Sequence, residues 1–130
     1  MSKYWVEYTE AYCPSPVSLV VHRPLDCEHW LGATQYDPPL PKPEIGKDYR
    51  VYKIELKGVE LGFSSMEEVE HCIAILSQKN LPTTRALAEQ SWLGGYQHRH
   101  WLAKFPSALK PFKERQKLVR LLGYLKSCKP

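Results

Sequence analysis

Residues 49–63 constrain this chain more than any other stretch. They form two runs of alternating apolar and polar residues joined by Lys57-Gly58. A two-residue turn at that junction needs positive φ, which glycine supplies without steric cost. The register imposed by the turn sets Leu56 opposite Val59, Ile54 opposite Leu61 and Tyr52 opposite Phe63. Side chains alternate with period two, so all six point to one side. A hairpin with one apolar face needs a cover, and the following residues supply it. Ser65 with Glu68 three positions later makes a capping box. Met66, Val69, Cys72, Ile73 and Leu76 recur at helical spacing. Glu67, Glu68 and Glu70 suit the positive end of the helix dipole, and Pro82 bars continuation beyond Lys79-Asn80. The pattern predicts strands over 50–56 and 59–63, a helix over 66–79, and burial of Leu56, Leu61, Val69 and Ile73.

The flanks are read by the same rules. Residues 4–9 alternate as a strand with Tyr4, Val6 and Tyr8 on one face. Residues 17–22, rich in β-branched side chains, read as a second strand. Residues 23–48 hold Pro24, Pro38, Pro39, Pro41 and Pro43 and read as a Pro-rich loop, in which Pro38-Pro39-Leu40-Pro41 suits polyproline II. Thr83 or Thr84 caps a second helix running to about Leu93, ended by Gly94-Gly95. His98, Trp101, Leu102 and Phe105 mark a short helical piece stopped by Pro106. A last helix starts near Pro111 and runs to about Lys126, with Phe112, Leu118, Val119, Leu122 and Leu125 on its apolar side. Strands in the first half and about three helices in the second predict an α+β fold with the helices packed on the sheet. At 130 residues the expectation is one domain spanning 1–130.

No apolar run approaches the roughly 20 residues of a spanning helix, and residues 1–7 lack the apolar core of a secretory signal. A cytoplasmic protein with no membrane partner is expected. Cys13, Cys27, Cys72 and Cys128 are irregularly spaced, which favours free thiols over a disulfide frame.

The charge is uneven. Residues 81–130 carry ten Lys/Arg against only Glu89 and Glu114. Lys110, Lys113, Lys117 and Arg120 are spaced 3, 4, 3, which puts four cations on one helical face with Tyr124 one turn further. Such a stripe suits a phosphate backbone, whose neutralisation releases counterions. Upstream, Arg99 and Lys104 stand among Trp92, Tyr96 and Trp101, and aromatics beside cations suit base stacking. The leading expectation is a nucleic-acid or other polyanion partner bound through Lys110, Lys113, Lys117, Arg120, Arg99 and Lys104. The alternative is a protein partner: an adaptor or inhibitor anchored by Trp92, Tyr96 and Trp101 of the 91–105 segment, or by the Pro-rich loop.

Enzymatic readings are weaker. Glu55 opposite Glu60 would place two carboxylates together, but Lys53 and Lys57 stand close in sequence. His22, Cys27 and His29 lack the paired spacing of a zinc site. Cys27 lies between Asp26 and Glu28, which disfavours a thiolate nucleophile. No nucleophile elbow, phosphate loop or dinucleotide fingerprint occurs. A non-enzymatic binding protein without metal or cofactor is expected.

Overall fold

The computed structural model describes residues 3–12, 14–15, 17–26, 30–42, 48–90 and 101–127. In chain order the elements are β1 (Lys3–Thr9), α1 (Ser18–Val21), β2 (Arg23–Pro24), β3 (Tyr36–Asp37), β4 (Tyr49–Leu56), β5 (Val59–Phe63), α2 (Met66–Leu76), α3 (Thr84–Gln90) and α4 (Phe112–Lys126). Short 3-10 turns occupy Trp30–Gly32, Trp101–Lys104 and Ser107–Leu109. The class is α+β, with antiparallel strands in the N-terminal half and helices mostly in the C-terminal half. Among the described residues no helix is long and apolar enough to cross a membrane.

The hairpin forms as its turn chemistry requires. Lys57 has φ 53° and Gly58 φ 77°, the paired left-handed conformation of a type I′ turn. Leu56 pairs with Val59, Ile54 with Leu61, and Tyr52 with Phe63. β1 adds antiparallel on the other side of β4, giving the order β1-β4-β5, with Tyr4 opposite Ile54 and Val6 opposite Tyr52. The inner face of this sheet carries Tyr52, Ile54, Leu56 and Phe63 into a core completed by Val69, Cys72, Ile75 and Leu76 of α2 and by Leu118, Leu121, Leu122 and Leu125 of α4. α4 packs on α2, β1 and β4, so the first strand and the last helix meet. Their contact includes the rings of Tyr4 and Tyr124, 5.3 Å apart.

Four expectations are corrected. Residues 17–22 do not form a strand: α1 occupies Ser18–Val21. The Ser18 amide donates to the Ser15 carbonyl at 3.0 Å, and the Ser15 amide donates to the Ser18 hydroxyl at 2.9 Å. This reciprocal closure starts a helical turn that β-branched composition does not reveal. The Pro-rich stretch is not merely a loop. β2 and β3 pair within it, and Trp30 is buried, donating its indole N–H to the His22 carbonyl at 2.8 Å. α2 ends at Leu76, with the Ser77 amide returning to the carbonyls of Ile73 and Ile75, so it is shorter than the predicted 66–79. Leu56 and Val69 are buried, but Leu61 and Ile73 are only partly so. Leu61 lies on the edge strand β5. The buried stripe of α2 runs through Glu68, Val69, Cys72, Ile75 and Leu76, rotated away from Ile73 because α1 and α4 flank it.

Thr83 caps α3, its hydroxyl accepting from the Ala86 amide at 3.0 Å. The predicted end of that helix near Leu93 and the Gly94-Gly95 stop lie outside the described residues, as does His98.

Candidate functional site

The basic segment 110–120 resolves into two parts. Lys110 ends the 3-10 turn Ser107–Leu109 and is half-buried, its carbonyl accepting from Arg115 Nε at 2.7 Å. Lys113, Lys117 and Arg120 are exposed on α4, opposite Leu118, Leu122 and Leu125, which are fully buried. Three of the four predicted cations therefore share one helical face. At about 1.5 Å rise per residue, Lys113, Lys117 and Arg120 are separated by about 6 and 4.5 Å along the axis. Lys117 Nζ lies 3.6 Å from Glu114 Oε1, which also holds Lys57 Nζ at 3.1 Å. The Lys57 hydrogen bond, with the charge of Lys117, keeps the Glu114 carboxyl below its ordinary pKa. Among the described residues neither Lys113 nor Arg120 has an acidic partner within 4.0 Å.

One turn beyond Arg120, the stripe reaches Tyr124. Tyr124 is 46% exposed and Tyr4 42% exposed, so their contact leaves much of both rings open to solvent beside the cations. The face thus combines spaced positive charge with an accessible π surface, which is what a phosphate chain with unstacked bases requires.

The other predicted site residues are placed differently. Trp101 is buried, packed edge-on against Phe105, and donates its indole N–H to His71 Nε2 at 3.0 Å. A partner anchor at Trp101 would need an exposed ring; its burial weakens that alternative, and its i, i+4 spacing to Phe105 belongs to a core face. Lys104 lies in the same 3-10 turn, but its side chain, like Trp92, Tyr96 and Arg99, is outside the described residues. Glu55 and Glu60 do face each other across the hairpin. Each has its own cation, Lys3 at 4.0 Å and Lys53 at 2.8 Å, while Lys57 turns instead to Glu114.

A polar cluster that sequence reasoning missed lies at the other end of the sheet. Glu68 is completely buried. Its Oε1 accepts from the hydroxyls of Ser15 at 2.6 Å and Ser18 at 2.8 Å and from the Ser64 amide at 3.3 Å. Its Oε2 accepts from the hydroxyls of Ser64 and Ser65 and from His22 Nε2, the last at 3.1 Å. His22 Nδ1 lies 2.8 Å from the Pro38 carbonyl, which only accepts, so Nδ1 carries a proton. Nε2 faces both the Glu68 carboxylate and the Ser65 hydroxyl at 3.1 Å, and the carboxylate favours a second proton there. Burial works against this charge, but the Glu68 hydrogen bond, the Pro38 carbonyl and the negative charge of Glu68 together raise the His22 pKa above 6.5. Burial likewise opposes the Glu68 carboxylate, and donation from His22 and the serines holds its pKa below 4.5. Tyr12 reaches Ser64 Oγ at 3.1 Å, and its own hydroxyl is pushed up by burial.

This cluster has serine, histidine and glutamate in contact, yet it is not arranged for acyl transfer. A nucleophile needs a base nitrogen that accepts its proton. Here Nδ1 is taken by the Pro38 carbonyl and Nε2 is shared between the Glu68 carboxylate and the Ser65 hydroxyl, whose own oxygen also lies 3.0 Å from Glu68 Oε2, and Glu68, His22, Ser18, Ser64 and Ser65 are all buried. The chemistry that fits is structural: a buried ion pair that ties α1 and the Ser64-Ser65 turn to the start of α2. Cys27 and His29, considered with His22 as metal ligands, are outside the described residues.

No protein-family model, curated protein or solved structure matched this chain in comparison with known proteins.

Proposed function

We propose that the protein binds nucleic acid through the exposed face of α4, with Lys113, Lys117 and Arg120 contacting phosphates and the Tyr4–Tyr124 pair receiving a base. The observation that carries the reading is the continuity of three exposed cations with two half-exposed tyrosine rings on one side of a rigid helix. Single strands are the preferred form, because a base must leave its stack to lie on a tyrosine. Specificity for sequence is low, since phosphate contacts position a strand without reading it. A cytoplasmic location is part of the proposal.

The test is a salt titration with fluorescent single- and double-stranded oligonucleotides, comparing wild type with Lys113→Glu/Arg120→Glu. Wild type is expected to bind at about 50 mM salt and to weaken steeply as salt rises. The double variant is expected to bind more weakly across all sequences, with the log–log salt slope reduced by roughly 0.7 to 0.9 per lost contact. Tyr124→Ala should weaken single strands more than duplexes. Absence of wild-type binding at low salt rejects the reading and leaves α4 with an ordinary solvated face.

A further inference from the structure

The hairpin, α2, α4 and the Trp101–Lys104 turn do not close completely on one another. Between them lies a cavity of about 210 Å³. Its walls include Leu61 and Phe63 from β5, Cys72 from α2, Leu122 from α4, and the edge-to-face rings of Trp101 and Phe105. Glu60, exposed on the edge strand, marks its mouth. Protein cores normally leave few voids larger than a water molecule, and an empty space lowers stability in proportion to its volume.

The lining decides what can fill this space. Water in a cavity needs two to four polar partners. The Trp101 indole N–H is already donated to His71, and the Glu60 carboxylate holds Lys53 at 2.8 Å. The Cys72 thiol is a weak donor. Apart from the backbone at Gly62, the rest of the wall is mainly hydrocarbon and aromatic ring. An engineered apolar cavity of about 150 Å³ stays dry and takes up benzene, so a larger one with an aromatic wall has room for a substituted ring.

We propose that this cavity is a binding site for a small, neutral, apolar molecule of the alkylbenzene type. The site uses the buried face of α4, whereas the nucleic-acid reading uses its exposed face, so each can fail without the other. Ring stacking against Trp101 and Phe105 and displacement of void supply the affinity, and the scarcity of polar groups in the wall supplies the selectivity. A ligand hydroxyl would lose its water without gaining a partner.

The experiment is a calorimetric titration of the full chain with toluene and, separately, with phenol, together with thermal unfolding. Toluene should bind saturably at one site, and at a hundredfold excess over its Kd should lower the unfolding equilibrium constant about a hundredfold. Phenol, nearly the same in shape, should bind at least tenfold more weakly. Cys72→Leu and Leu61→Phe fill the space from two different walls. Each should weaken toluene at least tenfold without lowering the melting temperature in the absence of ligand. The proposal is overturned if toluene shows no saturable binding up to its solubility, if phenol binds equally well, or if either folded variant keeps wild-type affinity. Should both variants fail to fold, the contrast between toluene and phenol in wild type decides.

Discussion

At the scale of single residues, Glu68 carries the most consequence. Its two oxygens accept from four serine residues and one histidine, all without exposure to water for the carboxylate. Glu68→Gln keeps the shape but removes the charge that His22 faces, and it introduces two N–H donors where only donors converge. Breaking one side of a buried pair typically costs about 3–5 kcal/mol, and a loss in that range is expected from denaturant unfolding near neutral pH. A loss below about 1 kcal/mol would show that the charges are not paired. The pH dependence follows from the directions of the two shifts. The His22 pKa is raised, so its contribution is complete below 6.5 and disappears as pH rises through the folded-state value. The Glu68 pKa is lowered, so its contribution is present above 4.5 and is lost as pH falls through its folded value. His71 is depressed by burial, which favours the neutral ring accepting from Trp101, and it contributes in the opposite sense, most fully above 6.5. Comparison of wild type with His22→Gln isolates the His22 term: their stability difference should shrink from about pH 6 to about pH 9. A difference independent of pH over that range would mean that the imidazole is neutral. The sequence offered little of this. Glu68 sits where a capping box wants a surface acid, and its box is half formed, since the Ser65 hydroxyl does accept from the Glu68 amide at 3.3 Å. The other partners are as far as 53 residues away in the chain, beyond the reach of any local pattern.

At the scale of elements, the helix ends explain how α2 and α4 are fixed together. The C-terminal carbonyls of a helix lack intrahelical partners and carry the negative end of its dipole. Arg115, on the first turns of α4, is buried and donates to the carbonyls of Leu76 at 3.3 Å, Lys79 at 2.9 Å and Gln78, as well as to Lys110 within its own segment. One guanidinium thus caps α2 and sets the start of α4. Arg115→Met preserves the stem but orphans these carbonyls, and a loss of about 2–3 kcal/mol is expected in equilibrium unfolding. Arg115→Lys should recover only part of it, because a point charge cannot reach three separate acceptors in a planar fork. A fully stable Arg115→Met would show that water satisfies the α2 carbonyls instead. Elements defined by local periodicity and turn chemistry were legible in the sequence: the hairpin register, the Ser65 cap and the body of α4 follow from spacing alone. α1 was not, because its four residues begin in a Ser15–Ser18 closure and are held by Glu68, while Val20 and Val21 read as strand formers. Arg115 was counted among the basic residues without a role, since nothing local distinguishes a capping arginine from a solvated one.

At the scale of the molecule, one cluster of buried side chains draws on α1, β4, β5, α2, α3, the Trp101–Lys104 turn and α4, with Val6 of β1 packed against it. α4 packs against β1. The position of the cations follows from this packing: α4 turns Leu118, Leu121, Leu122 and Leu125 inward, so Lys113, Lys117 and Arg120 are left outward beside Tyr4. The exposed face was legible from helical spacing, whereas Trp101 read two ways: its spacing to Leu102 and Phe105 marks an apolar face, and its cationic neighbours suggest a ring that binds. A core shared by so many elements should melt as one. Leu122 is fully buried, with neighbours from sheet and helix, and Leu122→Ala is expected to cost about 2–5 kcal/mol. The loss should appear equally in far-ultraviolet circular dichroism, which follows helices and strands, and in tryptophan fluorescence, which follows the environment of rings such as Trp30 and Trp101. Coincident denaturant transitions in both wild type and variant are the signature of two-state unfolding. If the fluorescence transition separates from the circular dichroism transition, or only one of them moves in Leu122→Ala, the chain holds two independently melting parts and the single-domain expectation fails. Lys113→Glu/Arg120→Glu provides the control. Both side chains point away from the core, so the midpoint should move by less than the equivalent of about 0.5 kcal/mol, the range of ordinary surface substitutions. A change in nucleic-acid affinity in that variant then reports on the charged face and not on the integrity of the fold beneath it.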